Sequence, residues 1–126
     1  MTIRKAILFA AVLFAATPVS IALAEGDAAV GEKAFNKCKA CHTAEQGGAN
    51  RVGPNLHGVV GRKAGTVDGY SYSKPVKEGD VTWTEDNLDK YLTDPKGFIP
   101  GNKMAFPGIK SEDERENIIA YLKQNS

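Results

Sequence analysis

Both cysteines of this chain lie in one short segment, which reads Asn-Lys-Cys-Lys-Ala-Cys-His over residues 36–42. Two residues separate Cys38 from Cys41, and His42 follows at once. This spacing is the covalent attachment signature of a c-type haem. Two thiols must add to two vinyl groups on one edge of the porphyrin, and the spacing keeps them within one turn of chain. His42 then follows closely enough for its imidazole to reach the iron that the thioethers position.

Two other chemistries use a pair of cysteines at this spacing. A disulfide between Cys38 and Cys41 would suit an exported protein, but it would leave the small apolar core described below without explanation. A thioredoxin-like dithiol site needs a strand–helix–strand context, and no such pattern is readable in this sequence. A dithiol oxidoreductase would be colourless, so the colour of the purified protein separates it from a haem protein.

A haem iron has a second axial position, and few side chains of this chain could fill it. Met1 is expected to leave with an N-terminal signal, so Met104 is the only methionine of the mature chain, and His57 is the only other histidine. Met104 lies in the segment 99–108, whose two prolines and two glycines favour a rigid, non-helical loop. A lone methionine can also be core filler, and His57 fits an ordinary loop histidine. We expect Met104 to be the ligand opposite His42.

The first 24 residues have the pattern of a secretory signal peptide. Arg4 and Lys5 precede an apolar run over residues 6–16. A small-x-small site at residues 22–24 predicts cleavage before Glu25. An uncleaved membrane anchor is the alternative, but the apolar run is short for crossing a bilayer.

Cleavage would leave residues 25–126 as one small domain. The formal net charge of +1 becomes −1 for this part, because Arg4 and Lys5 leave with the signal and no acidic residue does. Without an excess of positive charge, the chain is not expected to bind nucleic acid. With no second apolar span in the sequence, we expect a soluble monomer in an oxidising compartment, the periplasm.

Three segments have the capping residues and apolar spacing of α-helices. Their caps and apolar positions are Asp27 with Val30, Ala34 and Cys38; Thr84 with Leu88, Tyr91 and Leu92; and a Ser111–Glu114 capping box with Ile118, Tyr121 and Leu122. Asp94-Pro95 is expected to end the second helix.

The connection between the first two helices is long and irregular. Residues 43–82 contain eight glycines and two prolines, and no strand or helix period is sustained there. Three short helices bury too little apolar surface to offset the entropy of ordering such a connection. Something other than protein is therefore expected to complete the core, and a haem would do so.

The sequence resembles the class I c-type cytochromes, the group of mitochondrial cytochrome c and bacterial cytochrome c2. The matching stretches are CKACHT, GPNLHGVVGRKAG, YSYSK, WTEDNLDKYLTDPKGFIPGNKMAFPGIK and ERENIIAYLK. The resemblance implies an all-α fold in which the first and last helices cross. It also implies that Gly31 and Phe35 meet the helix face that bears Ile118 and Tyr121.

The resemblance assigns haem contacts to residues beyond the attachment motif. It implies that Arg62, Tyr72 and Trp83 donate hydrogen bonds to the haem propionates, because guanidinium, phenol and indole are all donors. From the residues alone, Arg62 could instead be a solvated charge and Trp83 a simple core residue.

The resemblance also places residues around the two axial ligands. Pro54 is similar to the residue whose carbonyl accepts a hydrogen bond from His42, and Tyr91 to the tyrosine beside the methionine sulfur. The chain departs from the family at three positions. Asn102 stands where the family often has threonine, Val76 where it often has asparagine, and Asn50 where it often has histidine. Asn102 can still donate a hydrogen bond, so we expect it among the haem-binding residues.

The expected function is one-electron transfer and not catalysis, because two filled axial positions leave no site for a substrate on iron. The expected partners are membrane or periplasmic redox complexes: a bc-type complex, a terminal oxidase or a photosynthetic reaction centre. A haem enzyme or gas-binding protein with an open sixth position is the alternative. Six cations flank the segments around the haem and could form a docking ring or an ordinary solvated surface; they are Lys37, Lys39, Arg51, Lys96, Lys103 and Lys110.

Overall fold

A computed structural model describes residues 11–16 and 26–126 of the chain. The expected signal cleavage site at Ala24 and Glu25 lies outside the described residues. These described residues form five α-helices and one 3₁₀ turn: α1 (Ala28–Ala34), the turn (Phe35–Lys37), α2 (Lys74–Glu78), α3 (Glu85–Thr93), α4 (Pro95–Phe98) and α5 (Glu112–Gln124). The described residues contain no strand, only one isolated bridge between Lys63 and Thr82. The expectation of an all-α fold is confirmed.

The helix starts that the sequence predicts are present. The Asp27 carboxylate accepts hydrogen bonds from the backbone of Ala29 and Val30, the Thr84 hydroxyl caps α3, and the Ser111 hydroxyl accepts from the backbone of Glu114. The Glu114 side chain differs from the capping-box expectation, because its carboxylate pairs with Lys37 at the end of the 3₁₀ turn. An opposite charge brought near by the fold competes successfully with a local backbone N–H.

The buried face of α1 is not the one that the apolar spacing indicates. Val30 is 48 % exposed, whereas Gly31 and Phe35 are buried. The helix ends at Ala34, and the chain continues as a 3₁₀ turn, so Cys38 is not on a continuous α-helical face. The prediction that Val30, Ala34 and Cys38 share one apolar helix face is wrong, because α1 ends before Cys38 and the close approach to α5 buries the face with the smallest side chain.

Helices α1 and α5 cross in direct backbone contact at Gly31. A Cβ atom there would lie 1.8 Å from the carbonyl oxygen of Asn117, so only glycine fits. The side chain of Asn117 also accepts a hydrogen bond from the backbone of Asp27 at 2.7 Å. The rings of Phe35 and Tyr121 pack at a centroid distance of 5.2 Å. The expected crossing of the first and last helices is confirmed.

Two short helices have no counterpart in the predicted three. The chain does leave α3 at Asp94, as expected, but Pro95 begins α4 immediately, and Asp94 caps it by accepting from the backbone of Gly97. Proline lacks the N–H that a first helical residue would leave unpaired, so it starts a helix as readily as it ends one. Helix α2 likewise has Pro75 in its first turn.

The buried core lies between α1, α3 and α5 and the loop after α4. Phe35, Leu88, Ile109 and Ile118 are among its buried members. In residues 11–16 and 26–126 no helix is long and apolar enough to cross a membrane.

Candidate functional site

A cavity of about 400 Å³ opens between the helices and the loops. All ten side chains or backbones that the sequence predicts at the cofactor line it: Cys38, Cys41, His42, Pro54, Arg62, Tyr72, Trp83, Tyr91, Asn102 and Met104. Apolar side chains such as Val59, Leu88 and Ile118 make up much of its remaining wall. His57 is not among the lining residues.

The cysteine segment forms a single tight turn against the cavity. The backbone N–H groups of Cys41 and His42 both bond to the carbonyl oxygen of Cys38, at 3.1 and 2.9 Å. Both thiols are free. Burial raises the pKa of the Cys38 thiol to about 11, so this sulfur is protonated and uncharged at neutral pH. Cys38 therefore presents a neutral thiol, the form in which a sulfur can lie against an apolar ligand.

The imidazole of His42 is oriented by a hydrogen bond to the backbone of Pro54. Its Nδ1 lies 2.7 Å from the carbonyl oxygen of Pro54, which can only accept a hydrogen bond. Nδ1 therefore carries the proton, and the lone pair of Nε2 is left for a metal. Burial lowers the pKa of His42 and outweighs the opposing effect of this hydrogen bond, so the ring is neutral at neutral pH.

Gly53 is a site residue that the sequence reasoning missed. A Cβ atom at this position would lie 2.2 Å from Cε1 of His42, so the ring packs directly on glycine backbone. The backbone N–H of Gly53 bonds to the carbonyl oxygen of Cys41 at 2.8 Å, which ties this segment to the cysteine turn. The sequence did offer a signal for this contact. Gly53 directly precedes Pro54, whose loop was expected to lie against the His42 ring.

Met104 enters the cavity from the loop that follows α4. Its Sδ accepts a hydrogen bond from the Tyr91 hydroxyl at 3.5 Å. Burial raises the pKa of Tyr91 to about 12, so the phenol keeps its proton and remains a donor. The backbone N–H of Met104 bonds to the side-chain oxygen of Asn102 at 2.9 Å. The thioether is thus held both through its sulfur and through its backbone.

The polar residues that line the cavity include Arg62, Tyr72 and Ser73. The Arg62 guanidinium uses two of its N–H groups on the carbonyl oxygens of His57 and Asn55, and burial lowers its pKa although it remains a cation. The Tyr72 oxygen accepts from the backbone of Val67, which leaves its own hydrogen to donate. The lining residues here can therefore still donate to an anion.

Ser73 is a second residue that the sequence reasoning missed. Its hydroxyl is buried and has no hydrogen-bond partner among the described residues, and the residue lines the cavity beside Tyr72. A buried hydroxyl without a partner is costly. A ligand oxygen in the cavity would satisfy it.

The remaining predicted positions have structural surroundings of their own. The indole of Trp83 packs on Tyr91 with a centroid distance of 4.8 Å, and its backbone pairs with that of Arg62. Val76 lines the cavity as an apolar residue. Asn50 joins two loops, because it donates to the carbonyl oxygen of Asp68 and accepts from the backbone of Asn55.

These donors and walls fit a haem c. Two thiols at the attachment spacing, a neutral imidazole with a free nitrogen, an apolar wall, a guanidinium and an unpartnered hydroxyl all line this cavity, and together they match a porphyrin with two propionates. All six cations of the expected docking ring are exposed. One of them, Lys37, is paired with Glu114.

Comparison with known proteins gives a consistent result. A family model described as "Cytochrome c" matches residues 28–126. A cytochrome c from Chlamydomonas reinhardtii is 55 % identical over 100 residues, which cover 79 % of this chain and 89 % of the relative. A cytochrome c-554 from Methylosinus trichosporium is 47 % identical over 117 residues, which cover 93 % of this chain and 88 % of the relative.

A similar solved structure is that of cytochrome cH from Methylobacterium extorquens. The TM-score is 0.74 at 53 % sequence identity, and the match covers 79 % of this chain and 99 % of that chain.

Proposed function

Because the chain belongs to the cytochrome c family, whose members carry electrons on one covalent haem c and are not enzymes, we propose that it is a periplasmic one-electron shuttle with His42 and Met104 as axial ligands. It has the class I cytochrome c fold, and its cofactor is one haem c attached through the motif that contains Cys38 and Cys41. When bound, the haem supplies a one-electron iron couple. The protein's task is to hold that iron in a fixed, water-poor environment.

The observation that supports the axial pair best is that the two side chains line one cavity and are each oriented by a second residue. Pro54 fixes the proton of His42 on Nδ1, and Tyr91 contacts the sulfur of Met104. Methionine and histidine together raise the reduction potential relative to two nitrogen ligands. The ferric protein should show the far-red charge-transfer band of thioether ligation, and the ferrous protein should resist carbon monoxide at neutral pH. Rapid carbon monoxide binding without that band would favour the gas-binding alternative.

The polar lining residues are proposed to bind the two propionates. Arg62 supplies charge, Tyr72 a phenolic hydrogen and Ser73 a hydroxyl that otherwise lacks a partner. Trp83 lies beside Arg62 through their shared backbone pairing, so its indole is a further candidate donor. Burying a carboxylate without such donors would cost several kcal/mol, on the order of the effective penalty for a buried ion.

Export to the periplasm is proposed from the N-terminal segment, with a signal peptide over 1–24 and the cytochrome domain over 25–126. The similarity to cytochrome c-554 supports this, because the 117 matched residues exceed the 102 that follow Ala24 and so extend into that segment. The intact mass of the periplasmic protein should equal that of residues 25–126 plus one haem that acid–acetone does not extract. A mass that includes residues 1–24 would contradict cleavage but not haem attachment.

The partners are proposed to be redox complexes with an acidic docking face. Donor and acceptor candidates are a bc-type complex, a terminal oxidase of a respiratory chain and a photosynthetic reaction centre. Of the six exposed cations, all but Lys37 have no acidic partner within ion-pair distance in the described part of the chain; these are Lys39, Arg51, Lys96, Lys103 and Lys110. Co-purification of the monomeric holoprotein with native membrane complexes, at low and high salt, would identify which of them binds.

A further inference from the structure

Asn102 is a buried polar residue, 4 % exposed, in the loop that carries Met104. Its amide nitrogen donates to the carbonyl oxygens of Pro95, at 2.8 Å, and Ile99, at 2.9 Å. Its amide oxygen accepts from the backbone N–H of Met104 at 2.9 Å. One side chain therefore connects the two ends of α4 to the residue that enters the cavity.

These three bonds use both hydrogens of the amide. A side-chain amide has two N–H donors, and each of them is directed at a backbone carbonyl. The sequence-based expectation was that Asn102 donates a hydrogen bond to the haem, but the structure leaves it no N–H for that purpose. Its role must come from what its bonds hold in place.

The α4 segment to which Asn102 bonds is held in place by contacts of its own. Pro95 is almost fully buried, and Asp94 caps α4 through the backbone of Gly97. The backbone of Asn102 itself donates to Ile99 at 3.2 Å. The amide thus transmits the position of a fixed helix to the backbone of Met104.

We propose that Asn102 is a positioning residue for Met104, which sets the place of the thioether through the loop backbone and does not bind the haem. This inference rests on the proposed ligation of iron by Met104. Threonine, common at this position in the family, has a single hydroxyl. It cannot donate to two carbonyls and accept from the Met104 N–H at once.

The test uses the full-length holoprotein with two substitutions, Asn102→Thr and Asn102→Asp. The threonine loses at least one of the three bonds, and the aspartate keeps the shape but loses both donors. Asn87→Thr and Asn87→Asp are matched controls, because the Asn87 amide also bonds to a backbone carbonyl, that of Thr82, but outside the Met104 loop. Circular dichroism and thermal unfolding report whether each variant is folded.

The readouts are the far-red ferric band as a function of pH and the affinity of ferric protein for imidazole. If Asn102 positions Met104, both Asn102 variants keep their attached haem but lose the far-red band at a lower pH than the wild type. They should also bind imidazole at least about tenfold more tightly, because the free energy of one lost hydrogen bond corresponds to about a tenfold change in an equilibrium constant. The Asn87 controls should match the wild type in both readouts.

Three results would overturn the proposal or its premise in separable ways. Equal loss of stability in the Asn102 and Asn87 variants, with unchanged band and imidazole affinity, would mean that Asn102 is only structural. A shifted potential with both readouts unchanged would mean that Asn102 acts on the haem directly. A wild type without the band would remove the premise that Met104 is a ligand, whatever the variants do.

Discussion

The phenolic hydroxyl of Tyr91 donates a hydrogen bond to the sulfur of Met104, with 3.5 Å between oxygen and sulfur. The bond connects α3 to the loop after α4, and so joins a rigid helix to the proposed ligand. A donor on the sulfur draws electron density away from it. With Met104 as the proposed iron ligand, ferric iron would need that density more than ferrous iron, so the contact would favour the reduced state.

Tyr91→Phe should therefore lower the reduction potential while the haem remains attached and Met104 remains bound. A weak hydrogen bond of under about 1 kcal/mol corresponds to tens of millivolts, because about 59 mV is a tenfold change for one electron. Spectroelectrochemical titration measures the shift. Tyr121→Phe is the control, since Tyr121 packs on Phe35 outside the main cavity. A potential that stays the same or rises in Tyr91→Phe would contradict this account.

The same tyrosine predicts a pH dependence. Burial raises the pKa of Tyr91 to about 12 in the folded protein, above the value of about 10 for an exposed tyrosine. The unfolded state releases the proton first, so the contribution of Tyr91 to stability is complete below pH of about 10 and is lost as pH rises toward about 12. Denaturant unfolding at a series of pH values should show a smaller alkaline loss for Tyr91→Phe than for the wild type. Parallel losses in the two proteins would argue against the shifted pKa.

Met104→Ala should open the axial position and leave the haem covalently attached, because Cys38, Cys41 and His42 are untouched. The potential should fall by on the order of 0.1 V, within the range of about 0.8 V that axial ligands span. The variant should bind carbon monoxide when reduced, or take up water or a displaced lysine such as Lys103 when oxidised. Lys103 directly precedes Met104, lines the same cavity and donates a hydrogen bond to the carbonyl oxygen of Ser71. An unchanged potential and spectrum would show that another group binds the iron.

Gly31→Ala should destabilise the crossing of α1 and α5. The added Cβ would lie 1.8 Å from a backbone oxygen of Asn117, so the two helices must move apart. Overpacking of this kind costs about 1–3 kcal/mol or more. Denaturant unfolding of the holoprotein measures the loss, and Glu32→Ala, an exposed change on the same helix, should stay within about 0.5 kcal/mol of the wild type. Equal stability of the two variants would mean that the helices tolerate separation.

Electron transfer with the native partner should slow as salt concentration rises, because screening shortens the reach of surface charges to about 10 Å at 0.1 M. Lys96→Glu should reduce the association rate several-fold at low salt. Lys90→Glu should have a smaller effect, since Lys90 is not one of the six cations and is already paired with Asp86 at 2.8 Å. Stopped-flow rates at several ionic strengths test both. Rates that ignore salt would mean that the cations do not form a docking surface.

The attachment motif, the helix caps and the lone Met104 could be interpreted from the sequence because each depends on residues close together in the chain. Thr84 caps α3 through a residue three positions away, and local chemistry of this kind does not need the fold. The buried face of α1 could not be predicted in the same way. Val30 and Gly31 are neighbours, and which of them faces inward depends on how closely α5, far along the chain, approaches.

The details of the cavity depended on tertiary contacts as well. Ser73 becomes notable only when its hydroxyl is seen to be buried without a partner. Gly53 becomes notable only when the His42 ring packs on it. Asn102 was expected among the haem-binding residues, but its two donors bond to the backbone carbonyls of Pro95 and Ile99, at the two ends of α4.

The crossing of α1 with α5 also orders events during synthesis. A ribosome makes Cys38 and Cys41 well before it makes α5, yet α5 supplies both the partner of α1 and part of the cavity wall, through Ile118 and Leu122. Until α5 has been made, the cavity wall around the two thiols is therefore incomplete. The last helix to be synthesised is thus the one that completes the cavity.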